Sequence, residues 1–229
     1  MQMSYGNVLI NGAYICALAV ILLTACATTP KEAQQAMPIE PVASDRVNKD
    51  QLHTEEEIKS LEIFTEILEV SRSARDRQSV LPQLEALYTQ LIRNFPETPL
   101  AQESHWKLIN IFVNEYSPPD YDKAEKFHRD FLKKYHDSPL RGVVEDTLGR
   151  SYMKHAEWSR LLTLCSSSYS GFVENKITPK ASLMFMYAEA NYNLGNIEQA
   201  EKAYSIVSGL FPELSVGKKS KSMIEEIRK

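Results

Sequence analysis

Glycine is scarce, with 8 residues in 229. That argues against folds built on left-handed turns and against the glycine-rich loops that cradle phosphates. Positive charge is not in excess: 26 Lys+Arg stand against 30 Asp+Glu, a formal charge of −4. Nothing across the chain therefore favours a polyanion such as nucleic acid. No apolar run reaches the ~20 residues that a membrane-spanning helix needs. Cysteine is limited to Cys16, Cys26 and Cys165. What remains is ordinary for a folded chain, 43% hydrophobic and 24% charged, which excludes a disordered or collagen-like polymer. The length fits one medium domain with enough core to fold unaided.

The longest apolar run covers residues 13–23. As a helix it reaches about 16 Å, too short to cross a bilayer and right for the apolar region of a signal peptide. It ends in Leu23-Thr24-Ala25-Cys26, followed at once by the polar Ala27-Thr28-Thr29-Pro30-Lys31. The tetrapeptide resembles the bacterial lipobox, in which small residues admit the signal peptidase and the cysteine thiol receives a diacylglycerol. That resemblance implies a signal peptide over 1–25 and lipidation at Cys26, a thioether carrying palmitate-type chains. Residues 1–12 hold no Lys or Arg, a departure from the usual positive start, and an uncleaved N-terminal anchor stays open as the alternative. With Cys16 removed and Cys26 capped, Cys165 is left alone and no intrachain disulfide can form. Ala27, rather than Asp, follows the acylated position, which in many double-membraned bacteria implies release to the outer membrane. The expected address is the outer membrane, lipid-anchored and facing the periplasm. Residues 26–52 then form the lipidated cysteine and a tether with Pro30, Pro38 and Pro41 and no apolar periodicity, reaching about 30 Å.

The rest, 53–229, repeats. Thr98-Pro99, Ser138-Pro139 and Thr178-Pro179 are spaced by 40 residues, twice. Each suits a helix start, with the hydroxyl capping an orphan N–H and proline at the first helical position. Phe95-Pro96-Glu97 and Tyr135-His136-Asp137 precede the first two, and Phe211-Pro212-Glu213 recurs before Ser215. Between these marks the spacing is helical: Leu84, Leu87, Tyr88, Leu91 and Ile92 form one stripe, Leu108, Ile111 and Phe112 another, Phe127, Phe131 and Leu132 a third. Thr54 with Glu57 reads as a capping box, and Asp120 and Asn196 as caps. The pattern predicts helices over 54–75, 79–94, 99–115, 121–135, 139–155, 157–173, 179–194, 197–210 and 215–228, and no strand. The expected fold is all-α, a stack of helical hairpins.

These residues resemble the tetratricopeptide repeat. Gly195, Ala200, Tyr204 and Pro212 sit at that family's turn, small, aromatic and terminal-proline positions. Leu148-Gly149 with Tyr152 matches its Leu-Gly-x-x-Tyr signature, and Asp120-Tyr121 with Ala124 matches its turn and small residue. Leu84 and Leu161 stand where the small residue belongs, and the period is nearer 40 than 34. The resemblance covers 79–214 and implies a helical-hairpin solenoid of about four repeats plus a C-terminal capping helix. With the lipobox, the tether and Phe95-Pro96-Glu97-Thr98-Pro99, the chain looks most like the BamD (YfiO) group, lipoproteins of the machinery that assembles outer-membrane β-barrels. That implies a protein-interaction scaffold with envelope proteins as partners, no cofactor, no small-molecule substrate and no enzyme activity. Lipoproteins serving type IV pilus secretins or cell-wall synthesis, or a spacer subunit of an envelope enzyme, are the alternatives.

Little reads as chemistry. His53, His105, His128, His136 and His155 show no metal-ligand spacing, and His128 and His136 read as surface histidines near a helix end. Cys165 lies amid Leu161, Leu162 and Leu164, the setting of a small buried thiol. Ser166-Ser167-Ser168 lacks a nucleophile-elbow context, and Glu55, Glu56 and Glu57 suit a helix N-terminus. Lys218, Lys219, Lys221, Arg228 and Lys229 against Glu225 and Glu226 read as a solvated capping helix. Function is then expected in a groove lined by the first helix of each pair. Carried over by resemblance, its positions are Trp106, Ile109 and Val113, then Asp146, Arg150 and Lys154, then Glu189, Tyr192 and Asn193. Trp106 and Tyr192 are its candidate anchors.

Overall fold

The computed structural model describes residues 54–229. The expected signal peptide, Cys26 and the tether lie outside the described residues. Among the described residues the chain is all-α, with nine helices and no strand: α1 Glu55–Ser73, α2 Arg77–Asn94, α3 Pro99–Asn110, α4 Tyr121–Lys134, α5 Arg141–Lys154, α6 Trp158–Asn175, α7 Ala181–Asn193, α8 Ile197–Leu210 and α9 Ser215–Ile227. No helix among them is long and apolar enough to cross a membrane.

Local chemistry sets the first four starts. At α1 the Thr54 hydroxyl accepts from the Glu57 N–H at 3.2 Å while the Glu57 carboxylate accepts from the Thr54 N–H at 2.8 Å, the reciprocal box read from sequence. Asp76 opens α2 two residues earlier than expected by accepting from Gln78 and Ser79 N–H. Thr98 caps α3 with Pro99 at its first position, and Asp120 caps α4 through the Lys123 N–H.

The other two Ser/Thr-Pro pairs behave differently. α5 starts at Arg141, because the Ser138 hydroxyl donates to Gln102 on α3 at 2.7 Å and accepts from Leu140 N–H within a turn. α7 starts at Ala181 after extended backbone at Lys180, and Pro179 is buried instead of leading the helix. Asn196 precedes α8 without a side-chain cap bond, its amide donating to Asn191 at 3.2 Å. The last turn of the helix expected over 99–115 widens into π-helix at Ile111–Glu115. There the Phe112 carbonyl accepts from Asp120 N–H at 2.9 Å and the Val113 carbonyl from the Ser151 hydroxyl at 2.9 Å.

Each helix packs on the next in sequence, and α1, α3, α5, α7 and α9 also touch in succession. The predicted stripes point into this layer: Leu84, Leu87, Tyr88 and Leu91 are buried, as are Leu108, Phe112 and Phe131. Each such side chain contributes about 1.5–3 kcal/mol of hydrophobic stabilisation. Small residues admit close approach. Ala124, Ala200 and Ala203 are fully enclosed, and a Cβ on Gly149 of α5 would lie 2.4 Å from Met186 Sδ of α7. α7 is buried from Leu183 through Asn191, which explains its lack of a polar face.

Candidate functional site

Cross-helix hydrogen bonds recur near the period read from sequence. Arg77 reaches Glu115 (38 residues apart), Tyr135 reaches Pro96 (39), Trp106 reaches Thr147 (41), Ser151 reaches Val113 (38) and Ser182 reaches Asp146 (36). The period is thus a packing register, in which equivalent positions of successive helix pairs face one another.

The residues expected to line a groove are distributed unevenly over this register. Trp106 on α3 is half-buried. Its indole N–H donates to the Thr147 hydroxyl on α5 at 3.1 Å, and Lys107 Nζ lies 4.4 Å from the ring centroid. Asp146 accepts from the Ser182 hydroxyl at 2.8 Å, tying α5 to α7. Arg150 and Lys154 are exposed, one turn apart on α5. Ile109 and Val113 are corrections: both are 0% exposed and sealed in the core by the turn to α4, so neither presents a surface to a partner. Glu189 is 8% exposed and internally engaged, accepting from the Tyr204 hydroxyl at 2.8 Å with Lys219 Nζ at 3.5 Å. Tyr192 is half-buried against the core, and exposed Asn193 donates to the Glu189 carbonyl at 2.8 Å. Arg150, Lys154 and Asn193 are therefore the groove positions left accessible, with the edge of Trp106.

A second feature lies on the side of the even-numbered helices. These are joined by long side chains: Lys123 on α4 meets Glu85 on α2 at 3.1 Å, and Arg160 on α6 meets Glu125 on α4 at 2.5 Å. Between α4 and α6 they leave a cleft of about 470 Å³. Glu125, His128, Arg129 and Leu132 form one wall at helical spacing, and Arg160, Thr163, Leu164 and Ser167 form the other. Arg141, Glu145 and Tyr152 of α5 make the floor. Arg160 also reaches Asp122 at 3.1 Å, and these carboxylates hold its guanidinium above even the usual arginine value. Burial pushes the Tyr152 hydroxyl up, and the Glu125 carboxylate that accepts its proton at 2.9 Å adds to the shift.

His128 overturns the surface reading. Its Nε2 is buried and finds no hydrogen-bond partner among the described residues. Burial pulls its pKa below the ordinary value, with nearby Glu145 opposing and Arg141 adding to the shift. His136 is exposed, 2.7 Å from Asp137. His105 is also interior: its Nδ1 lies 3.2 Å from the Phe127 carbonyl amid Phe127, Phe131 and Tyr135. Cys165 sits in α6 as expected, fully buried, and burial raises its pKa to about 12 with Glu145 and Asp146 adding to the rise. Its thiol is held protonated. No group of three His, Cys, Asp or Glu among the described residues is placed to hold a metal ion.

The cleft went unread because its residues look like ordinary solvated helix faces. The available signal was a second stripe at i, i+3, i+4 and i+7 with one leucine on both α4 and α6, mixed in charge on α4 and carrying only Arg160 as a charge on α6. Compared with models of protein families and with curated proteins, the sequence matches none of them.

Proposed function

We propose that this chain is a lipid-anchored periplasmic scaffold that binds other envelope proteins, serving outer-membrane β-barrel assembly in the manner of the BamD group. In this reading, 53–229 is a tetratricopeptide-like solenoid of about four helical hairpins with α9 as its cap. The observation that carries it is the packing register near 40 residues joined to a continuous layer of odd-numbered helices. Such a layer leaves one face of α1, α3, α5 and α9 partly accessible around an enclosed α7, a geometry suited to contact with another protein. Cys26 supplies the anchor, two or three acyl chains giving stable attachment at about 0.8 kcal/mol per buried CH₂. The tether over 27–52 gives the domain reach from the membrane surface.

The experiment is a crosslinked capture of the protein from its native envelope, followed by mass identification. Recovery of a large β-barrel with periplasmic domains supports the full reading. Recovery of pilus, secretin or cell-wall proteins assigns the scaffold to a different machine. Recovery of no protein partner overturns the scaffold itself.

A further inference from the structure

We propose that the cleft between α4 and α6 binds an acidic peptide segment, its carboxylate held by free N–H groups of Arg129 and Arg141. The proposal rests on the scaffold reading and names a site and a partner chemistry for it.

Donor and acceptor accounting carries the argument. One oxygen of each cleft carboxylate is engaged, Glu125 Oε1 accepting from Tyr152 at 2.9 Å and from Arg160 at 2.5 Å and Glu145 Oε1 from Arg141 Nε at 2.8 Å. The three guanidiniums carry more N–H groups than both carboxylates can accept. Donors are left over. Arg129, with 67% of its side chain exposed, reaches Glu125 only at 4.0 Å, beyond a hydrogen bond. Arg141 spends a single N–H on Glu145, leaving the rest of its planar fork open toward the cleft it lines. His128 Nε2, in the α4 wall, has no partner but is too enclosed to touch a molecule in the cleft.

A carboxylate is the group that meets these donors without bringing a second cation, and the two-pronged guanidinium matches its geometry. Three arginines against two glutamates leave the cleft one unit positive. That balance suits a single carboxylate, whereas Glu125 and Glu145 would repel a dianionic phosphate. The shape favours a peptide. Each wall runs two helical turns, about 10 Å, and Leu132 and Leu164 offer apolar surface to the neighbours of an acidic residue.

The test uses the purified full-length protein and a fluorescein-labelled, end-capped Ser-Leu-Glu-Leu-Ser peptide, with its glutamine counterpart as control, read by fluorescence anisotropy. The acidic peptide is expected to bind about tenfold tighter than the glutamine one. Arg129→Glu, on an exposed and loosely paired side chain, is expected to weaken it at least tenfold. His128→Phe keeps the packed ring and removes a nitrogen too enclosed to touch the peptide, and is the control expected to leave the affinity unchanged. Equal affinity for the two peptides overturns the proposal, as does an affinity that Arg129→Glu leaves unchanged. Displacement of the acidic peptide by inorganic phosphate or by anionic phospholipid vesicles at comparable concentration also overturns it in favour of those ligands. Capture of an envelope partner by Arg129→Glu as efficiently as by the unaltered protein sinks the cleft while leaving the scaffold standing. Failure of the unaltered protein to capture any partner sinks the scaffold, and the peptide comparison still decides what the cleft binds.

Discussion

Replacing Gly217 by alanine sets helix propensity against packing. Gly217 lies in the first turn of α9, where alanine is intrinsically better than glycine by about 1 kcal/mol. A Cβ there would meet the Phe211 carbonyl oxygen at 1.9 Å, its carbon at 2.7 Å and Pro212 Cα at 3.3 Å. These are backbone atoms of the turn between α8 and α9, and no rotamer change relieves the overlap. The carbonyl must retreat by about 1 Å, and it is the acceptor for Leu214 N–H at 3.1 Å. Overpacking costs about 1–3 kcal/mol and the distorted bond about 1 kcal/mol more, so packing wins. The expected result for Gly217→Ala is a net loss of about 1–3 kcal/mol in urea unfolding, read as a lower midpoint at unchanged slope. Gly209→Ala is the control. It is exposed in α8 with nothing within 4 Å of the added carbon, and should gain about 0.5 kcal/mol. A Gly217→Ala protein as stable as the parent would refute the close approach of α9 to the turn.

Cys165 should resist iodoacetamide at pH 8 in the native protein and react once urea exposes it, because burial raises its pKa to about 12; peptide mapping that finds native alkylation would contradict its enclosure. His105 is pulled below its ordinary value chiefly by burial, so the unfolded chain binds its proton more readily than the folded one. The stability it contributes is present above the unfolded value near 6.5 and is lost as pH falls below it. The urea midpoint should therefore drop between pH 7 and pH 5, and drop less in His105→Leu, with a residual fall from His128, which shifts the same way; an identical drop in both proteins would exclude His105 as a source. Cys26→Ser should move the protein from the membrane to the soluble envelope fraction, since one thioether carries the proposed anchor; retention on the membrane would point to an uncleaved N-terminal helix.

Helix positions were legible because period and punctuation are local properties of the chain. The capping box at Thr54 and Glu57, the Thr98-Pro99 start and the Asp120 cap all formed as the residue types dictate. Ser138-Pro139 did not, because a tertiary partner, Gln102, competes for the same hydroxyl. No local rule foresees such competition. The groove was less legible for a related reason. Ile109 and Val113 occupy positions that a resemblance places on a surface, yet the widened turn at Ile111–Glu115 and the packing beneath it enclose them. The cleft was hidden because Glu125, Arg129 and Arg160 are ordinary surface residue types. Only the gap left between α4 and α6, bridged by Arg160 to Glu125 and Asp122, turns them into facing walls. His128 was hidden on the same ground, since Arg141 and Glu145 of α5 come close to it only in the folded chain.

Depleting this protein in its native cells and quantifying folded β-barrels in the outer membrane, scored by their heat-modifiable migration, tests the proposed role most directly. Assembly by a lipid-anchored scaffold of BamD type predicts that folded barrels fall in step with depletion, while unfolded precursors accumulate in the periplasm. Folded barrels that hold constant as the protein disappears would contradict that role.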